Sequence, residues 1–216
     1  MYFRLCKLFA RLRARLIHLV LRVYLSHKRS FFRVMGLKVW VPGNCFPPNL
    51  VSTGLLLKVA LEKARGIVVE AGTGVGSLAL PLCAFNEVEV VGTDLDLKCL
   101  RAARKNALEN SVYALFNPVA CEYLTAIRSN CADLVLTNPP YLPLDPERPE
   151  DISICGGKKL ETYARMIKEC IRVARHGTLI LFTASSLTNI KFENAKELAR
   201  RFAGLDSIYV YEIQKE

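Results

Sequence analysis

GIVVEAGTGVG, residues 66–76, joins a short apolar run to a glycine-rich turn. Ile67, Val68 and Val69 form a short apolar run, Glu70 ends it, and Gly72, Gly74 and Gly76 follow at alternate positions. An apolar run closed by glycines reads as a buried strand turning into a helix. Glycines let the backbone pass close to a ligand, and the helix that follows offers free N–H groups at its start. The spacing is Gly-x-Gly-x-Gly, whereas nicotinamide and flavin sites use Gly-x-Gly-x-x-Gly. Taken alone, the loop also fits a plain tight turn.

The pattern continues outward from this stretch. Residues 52–64 read as a helix with a Ser/Thr start, and helical spacing resumes at 77–85. Strands are predicted at 88–93, 113–116, 133–137, 178–183 and 207–213, with helices at 96–109, 121–129, 160–175 and 193–203. Strands that are nearly continuous apolar runs and alternate with helices predict an α/β fold. It is a doubly wound, mostly parallel sheet covered on both faces. Ligands in such sheets sit beyond the C-terminal strand ends, where strand order reverses. Glu70, Asp94 and Asn138 each stand at such an end.

Asp94 closes the second strand of this unit, 24 residues after Glu70. A carboxylate there can accept both hydroxyls of a ribose. Asp96 is the better candidate to cap the helix at 96–109, which leaves Asp94 free. The two strand ends together point to an adenosine ligand lying across the sheet, and the candidate cofactor-binding residues are Glu70, Gly72, Thr73, Gly74, Gly76, Asp94, Leu95 and Asn138.

Asn138-Pro139-Pro140-Tyr141 follows the apolar run 132–137. An amide or aromatic –NH2 nitrogen is a poor nucleophile because its lone pair is conjugated. A catalyst has to fix that nitrogen in line with a methyl-sulfonium and exclude water. The amide oxygen of Asn138 can accept one N–H of the planar group and the Pro139 backbone carbonyl the other. Pro139 and Pro140 have no N–H and a fixed φ, so they make the loop a rigid presenter of acceptors. Tyr141 can stack on the acceptor. The scheme needs no metal.

These three motifs, in this order, resemble the HemK-type protein-(glutamine-N5) methyltransferases. Gly156-Gly157-Lys158 and Ser185-Ser186-Leu187-Thr188 resemble the archaeal and eukaryotic release-factor branch. The resemblance covers about residues 38–213 and implies a class I, Rossmann-like methyltransferase that uses S-adenosyl-L-methionine. It implies methyl transfer to the glutamine of the Gly-Gly-Gln loop of a class I peptide chain release factor. A small zinc-binding activator subunit would pair with the sheet edge. Glu70, Gly72 and Asp94 would hold the cofactor, and Asn138, Pro139 and Tyr141 the amide. The sequence departs from the family in three respects. No acidic pair follows Val39–Pro42 or Phe46–Pro48, no acid near the adenine stands around Val119–Cys121, and the sequence stops soon after the strand at 207–213. The last strand of the sheet is therefore expected to be missing. Two other readings stay open: an RNA or DNA amino-methyltransferase acting on a flipped adenine N6 or guanine N2, and a catalytically degenerate binding module.

Charge sets the first 37 residues apart from the domain at 38–216. Residues 1–38 hold ten Lys/Arg and no acid, and the first acid is Glu62. The remaining residues balance twenty bases against twenty acids, so the net +10 belongs to the arm alone. Arg4, Lys7, Arg11, Arg15, His18 and Arg22 recur at helical spacing opposite Leu5, Leu8, Phe9, Leu12, Leu16, Leu19, Val20 and Val23. Several readings of this amphipathic helix stay open. Residues 4–33 lie on a membrane surface or on RNA, dock their apolar stripe on the domain or a partner, or serve as a targeting segment. Alternatively, translation starts at Met35. The eight cysteines include no Cys-x-x-Cys pair, so scattered thiols in a reducing cytoplasm are expected, with neither a zinc site nor a disulfide framework.

Overall fold

The protein is described by a computed structural model covering residues 2–26, 31–188, 192 and 194–216, with side chains for 9–25 and for the described residues from 31 onward. Helix α1 (Tyr2–Ser26) is followed by strands β1 (Phe31–Val34) and β2 (Leu37–Trp40), an antiparallel hairpin. Met35 and Gly36 form its two-residue turn, both at positive φ (51° and 89°), as a right-twisted hairpin requires. Met35, the alternative translation start, thus lies inside a turn. The domain continues through α2 (Val51–Lys63), β3 (Ile67–Ala71), α3 (Ala79–Asn86), β4 (Glu89–Asp94), α4 (Leu97–Glu109) and β5 (Phe116–Ala120). It ends with β6 (Ala132–Thr137), α5 (Glu161–Val173), β7 (Ala174–Ser185), β8 (Lys196–Ala203) and β9 (Asp206–Gln214).

The main sheet has seven strands in the order β5-β4-β3-β6-β7-β9-β8. Its first five strands are parallel, while β9 runs antiparallel to β7 and β8. Alternate residues of β3 feed opposite faces. Val68 packs with Leu56, Leu80 and Ala103 under α2, α3 and α4. Val69 and Ala71 pack with Tyr163, Ile167 and Cys170 of α5. This is the doubly wound parallel sheet expected from the sequence.

Four local expectations are corrected. The stretch expected to be helical at 193–203 is strand β8 over its described residues, and the sheet keeps its full complement of strands. Its 3–4 apolar spacing is accommodated by a bulge between Glu197 and Ala199, which lets Leu198 and Ala199 both pack toward the core under α2. Pairing with β9 supplies a hydrogen-bond ladder that outweighs local helix propensity. Residues 121–129 form turns instead of a helix, tied by Thr125 N–H to Glu122 O and Ile127 N–H to Leu124 O, with Tyr123 at φ 52°. The third parallel strand begins at Phe116, after a single 3-10 turn over Tyr113–Leu115. Ser52 does not cap α2. Leu50 holds that position without a side-chain bond, and Ser52 and Thr53 lie buried in the first turn.

A fifth correction concerns the cysteines. Cys45 and Cys99 are joined in a disulfide, with Cα atoms 5.8 Å apart. Their separation of 54 residues carries no spacing signal. Packing of the 42–50 loop on the start of α4 brings them together, and Lys98 Nζ clamps the same loop by donating to Gly43 O at 2.7 Å.

Candidate active site

Strand order reverses between β3 and β6, and the C-terminal ends of β3, β4 and β6 open into a cavity of about 560 Å³. That is within the range of small-molecule sites. Glu70, Gly72, Thr73, Gly74, Asp94 and Leu95 line it together with Asn138 and Pro140. Residues from all three sequence motifs, spread from Glu70 to Pro140, therefore meet in one space.

The glycine turn is built for close approach. Gly72, Gly74 and Gly76 all have positive φ (74°, 55° and 85°), a region that side chains other than glycine adopt at a cost. Gly76 does not line the cavity. It turns the backbone into α3, where its C=O accepts from Leu80 N–H at 3.0 Å. Gly92 of β4 acts from behind, since a Cβ there would stand 2.7 Å from Thr73 Oγ1 and 2.8 Å from the Phe116 ring. Its absence lets Thr73 donate to Glu70 Oε2 at 2.7 Å.

Two carboxylates face the cavity from different settings. Glu70 is 2% exposed, and burial pushes its pKa up to about 8 despite the Thr73 hydrogen bond. Burial also raises Asp94, opposed by N–H donors from Asp96 and Gly74. Asp96 is the α4 cap, accepting from Lys98 N–H at 2.8 Å, as expected. Asp94 is not wholly free, for its Oδ2 accepts from Gly74 N–H at 2.8 Å and its Oδ1 from Asp96 N–H at 2.9 Å. Each oxygen keeps a further lone pair for a ligand hydroxyl. Asp94 therefore braces the glycine turn as well as facing the cavity.

Asn138 stands half-buried at the end of β6, and three hydroxyls fix its amide. Thr183 Oγ1 of β7 donates to Oδ1 at 2.6 Å, and Nδ2 donates to Ser52 Oγ at 3.2 Å and Thr53 Oγ1 at 3.4 Å. The pinned Oδ1 retains a second lone pair, and among the described residues nothing donates to the Pro139 carbonyl. Pro139 and Tyr141 lie off the large cavity. They line a narrow crevice shared with Asn138 and Pro140 and closed by Leu21 of α1 and Phe46. Burial pushes the Tyr141 phenol up to about 12, against a hydrogen bond to Ser52.

Sequence reading missed several residues of this site. Glu122 and Tyr123 line the cavity two and three residues after β5 ends. Thr93 Oγ1 holds that turn in place by donating to Tyr123 O at 2.6 Å. Glu122 is thus an acid just beyond the third parallel strand, where none was expected. The sequence pattern hides it by suggesting too early a strand and a helix in place of the turn. Ser52, Thr53 and Thr183 carry no local signal for this role, since they reach Asn138 from segments distant in sequence.

The Methyltransferase small domain family matches residues 50–147. A release factor glutamine methyltransferase of Deinococcus radiodurans is 32% identical over 148 residues, 66% of this chain and 52% of that protein. One from Nitratidesulfovibrio vulgaris is 32% identical over 142 residues, 58% of this chain and 48% of that protein. The chain is similar to the HemK-type methyltransferases. It spans about half the length of these HemK-type relatives. Solved structures agree on the class I methyltransferase fold. TYW2 of P. horikoshii, in complex with MeSAdo, superposes with a TM-score of 0.61 at 13% identity, over 88% of this chain and 74% of that one. TrmN of Thermus thermophilus gives 0.56 at 20%, over 74% of this chain and 47% of that one.

Proposed function

We propose that the protein is an S-adenosyl-L-methionine-dependent N-methyltransferase acting on the glutamine side-chain amide of the Gly-Gly-Gln loop of a class I release factor. The observation that carries this reading is the Asn138 amide. Three hydroxyls pin it at the wall of a cavity that the Glu70–Gly74 turn and Asp94 also line. S-adenosyl-L-methionine, when bound, supplies a methyl group on a positively charged sulfur. The cavity's chemistry fits such a cation: it presents a desolvated carboxyl in Glu70, a second carboxylate in Asp94, and bare backbone at Gly72 and Gly74.

Asn138 Oδ1 and the Pro139 carbonyl accept the two N–H groups of a planar amide and hold its nitrogen lone pair toward the cavity. Nitrogen becomes positive as it is methylated, so two fixed acceptors stabilise the transition state more than the ground state. Thr183 keeps Oδ1, rather than Nδ2, aimed for this purpose. Tyr141 lines the same crevice as Asn138, and in this reading its ring walls the acceptor side. The relatives named above are release factor glutamine methyltransferases, which favours a glutamine amide over an aromatic amine.

The test uses the purified protein, methyl-labelled S-adenosyl-L-methionine and a class I release factor, with and without the small zinc-binding activator that the family resemblance implies for the sheet edge. Label is expected on the Gly-Gly-Gln glutamine and lost when that glutamine is replaced by alanine. Absence of transfer with intact cofactor binding by calorimetry would refute the acceptor, and absence of cofactor binding would refute the whole reading.

A further inference from the structure

Helix α1 docks on the domain by the face opposite to the one its sequence advertises. Ala14, His18 and Leu25 are buried, and Ile17 and Leu21 pack beside them against Leu142, Ile154 and Leu187. Asp151, 1% exposed, accepts from His18 Nε2 at 3.0 Å and from the Arg22 guanidinium at 2.6 and 3.1 Å. Arg13 donates to Ser186 Oγ at 3.1 Å. The apolar stripe points the other way. Phe9, Leu12, Leu16, Leu19, Val20 and Val23 are 66, 53, 47, 57, 57 and 51% exposed.

We propose that this outward stripe lies on the surface of an anionic lipid bilayer. Six large apolar side chains at helical spacing make one continuous strip, unlike the single exposed apolar residues normal on a surface. Exposed Arg11 and Arg15 flank it, and no acid occurs before Glu62. A second copy of the protein would bring the same unopposed positive charge to the contact. A nucleic acid would meet the arginines but offer nothing to the leucines and valines. An anionic bilayer satisfies both at once, with acyl tails for the strip and headgroups for the guanidiniums. No helix among the described residues is long and apolar enough to cross a membrane, so α1 lies in the plane of the interface. Because its inner face is clamped to Asp151 and packed on Leu142 and Ile154, the loop that follows Tyr141 is held next to that surface.

The experiment sediments the full-length protein with vesicles of phosphatidylcholine alone or mixed with phosphatidylglycerol, at low and high salt. Binding is expected only to the mixed vesicles and is expected to weaken with salt. The triple variant Leu12→Glu/Leu16→Glu/Leu19→Glu should lower the partition coefficient on the order of a hundredfold or more. Arg11→Glu/Arg15→Glu should lower it about tenfold or more. All five positions are exposed, so unchanged circular dichroism and thermal midpoint will show that the variants fold. The proposal is overturned if the parent protein ignores anionic vesicles or if the triple variant binds them equally well. It is also overturned if the parent is a dimer that the triple variant makes monomeric, because the strip is then a self-interface.

Discussion

Glu70→Gln tests the electrostatics of the cavity directly. The Glu70 carboxyl is buried to 2% exposure, and its pKa stands at about 8, against 4.5 for an ordinary glutamate. Between those values the folded protein holds a proton that the unfolded protein releases. The ligand-free protein therefore loses stability as pH rises from about 4.5 toward 8. Each pKa unit corresponds to about 1.4 kcal/mol, so the full effect has an upper bound of about 5 kcal/mol. Glutamine keeps an oxygen for the Thr73 hydroxyl and cannot ionise. The variant should match the parent near pH 5 and exceed it by several kcal/mol near pH 8.5 in urea unfolding. A cation in the cavity favours the ionised carboxylate. S-adenosyl-L-methionine should therefore release a proton on binding to the parent near pH 7 but not to the variant, as read by calorimetry in buffers of different ionisation enthalpy. A stability difference between the two proteins that does not change with pH would refute the account of Glu70.

Two further predictions rest on contacts distant in sequence. Thr183 is buried outside the cavity lining, so Thr183→Val should lower kcat by about tenfold through the freed Asn138 amide. It should leave cofactor affinity unchanged, Thr183→Ser should restore kcat, and Thr183→Val should have no further effect in an Asn138→Ala background. A matched loss of cofactor affinity would show that Thr183 shapes the cavity instead. Cys45→Ser, or reduction of the parent, opens a 54-residue link and should cost about 4 kcal/mol in chemical unfolding. Peptide mapping without reductant should recover Cys45 and Cys99 linked, and two free thiols there would contradict the bond.

How much of the site is legible in the sequence depends on the range of the signal. Strand-to-loop transitions are local, because an apolar run, a glycine turn and a proline pair each act within a few residues. Glu70, Gly72, Thr73, Gly74, Asp94, Leu95, Asn138 and Pro140 are marked by such signals, and all of them line the one cavity. Glu122 and Tyr123 escape notice for a local reason as well. Phe116–Ala120 contains a proline and reads poorly as a strand, so the turn beyond it resembles a helix.

The alternating elements, the glycine turn, the Asn-Pro-Pro loop and the contrast between a basic arm and a neutral domain are legible in the amino-acid order. All of these are properties of neighbouring residues. The tertiary structure alone decided which hydroxyls hold Asn138, that Cys45 meets Cys99, that 196–203 joins the sheet, and which side of α1 faces inward. Amphipathic periodicity reveals that a helix has two faces. Only the surface it meets, here a buried Asp151 that accepts from His18 and Arg22, selects the face that docks.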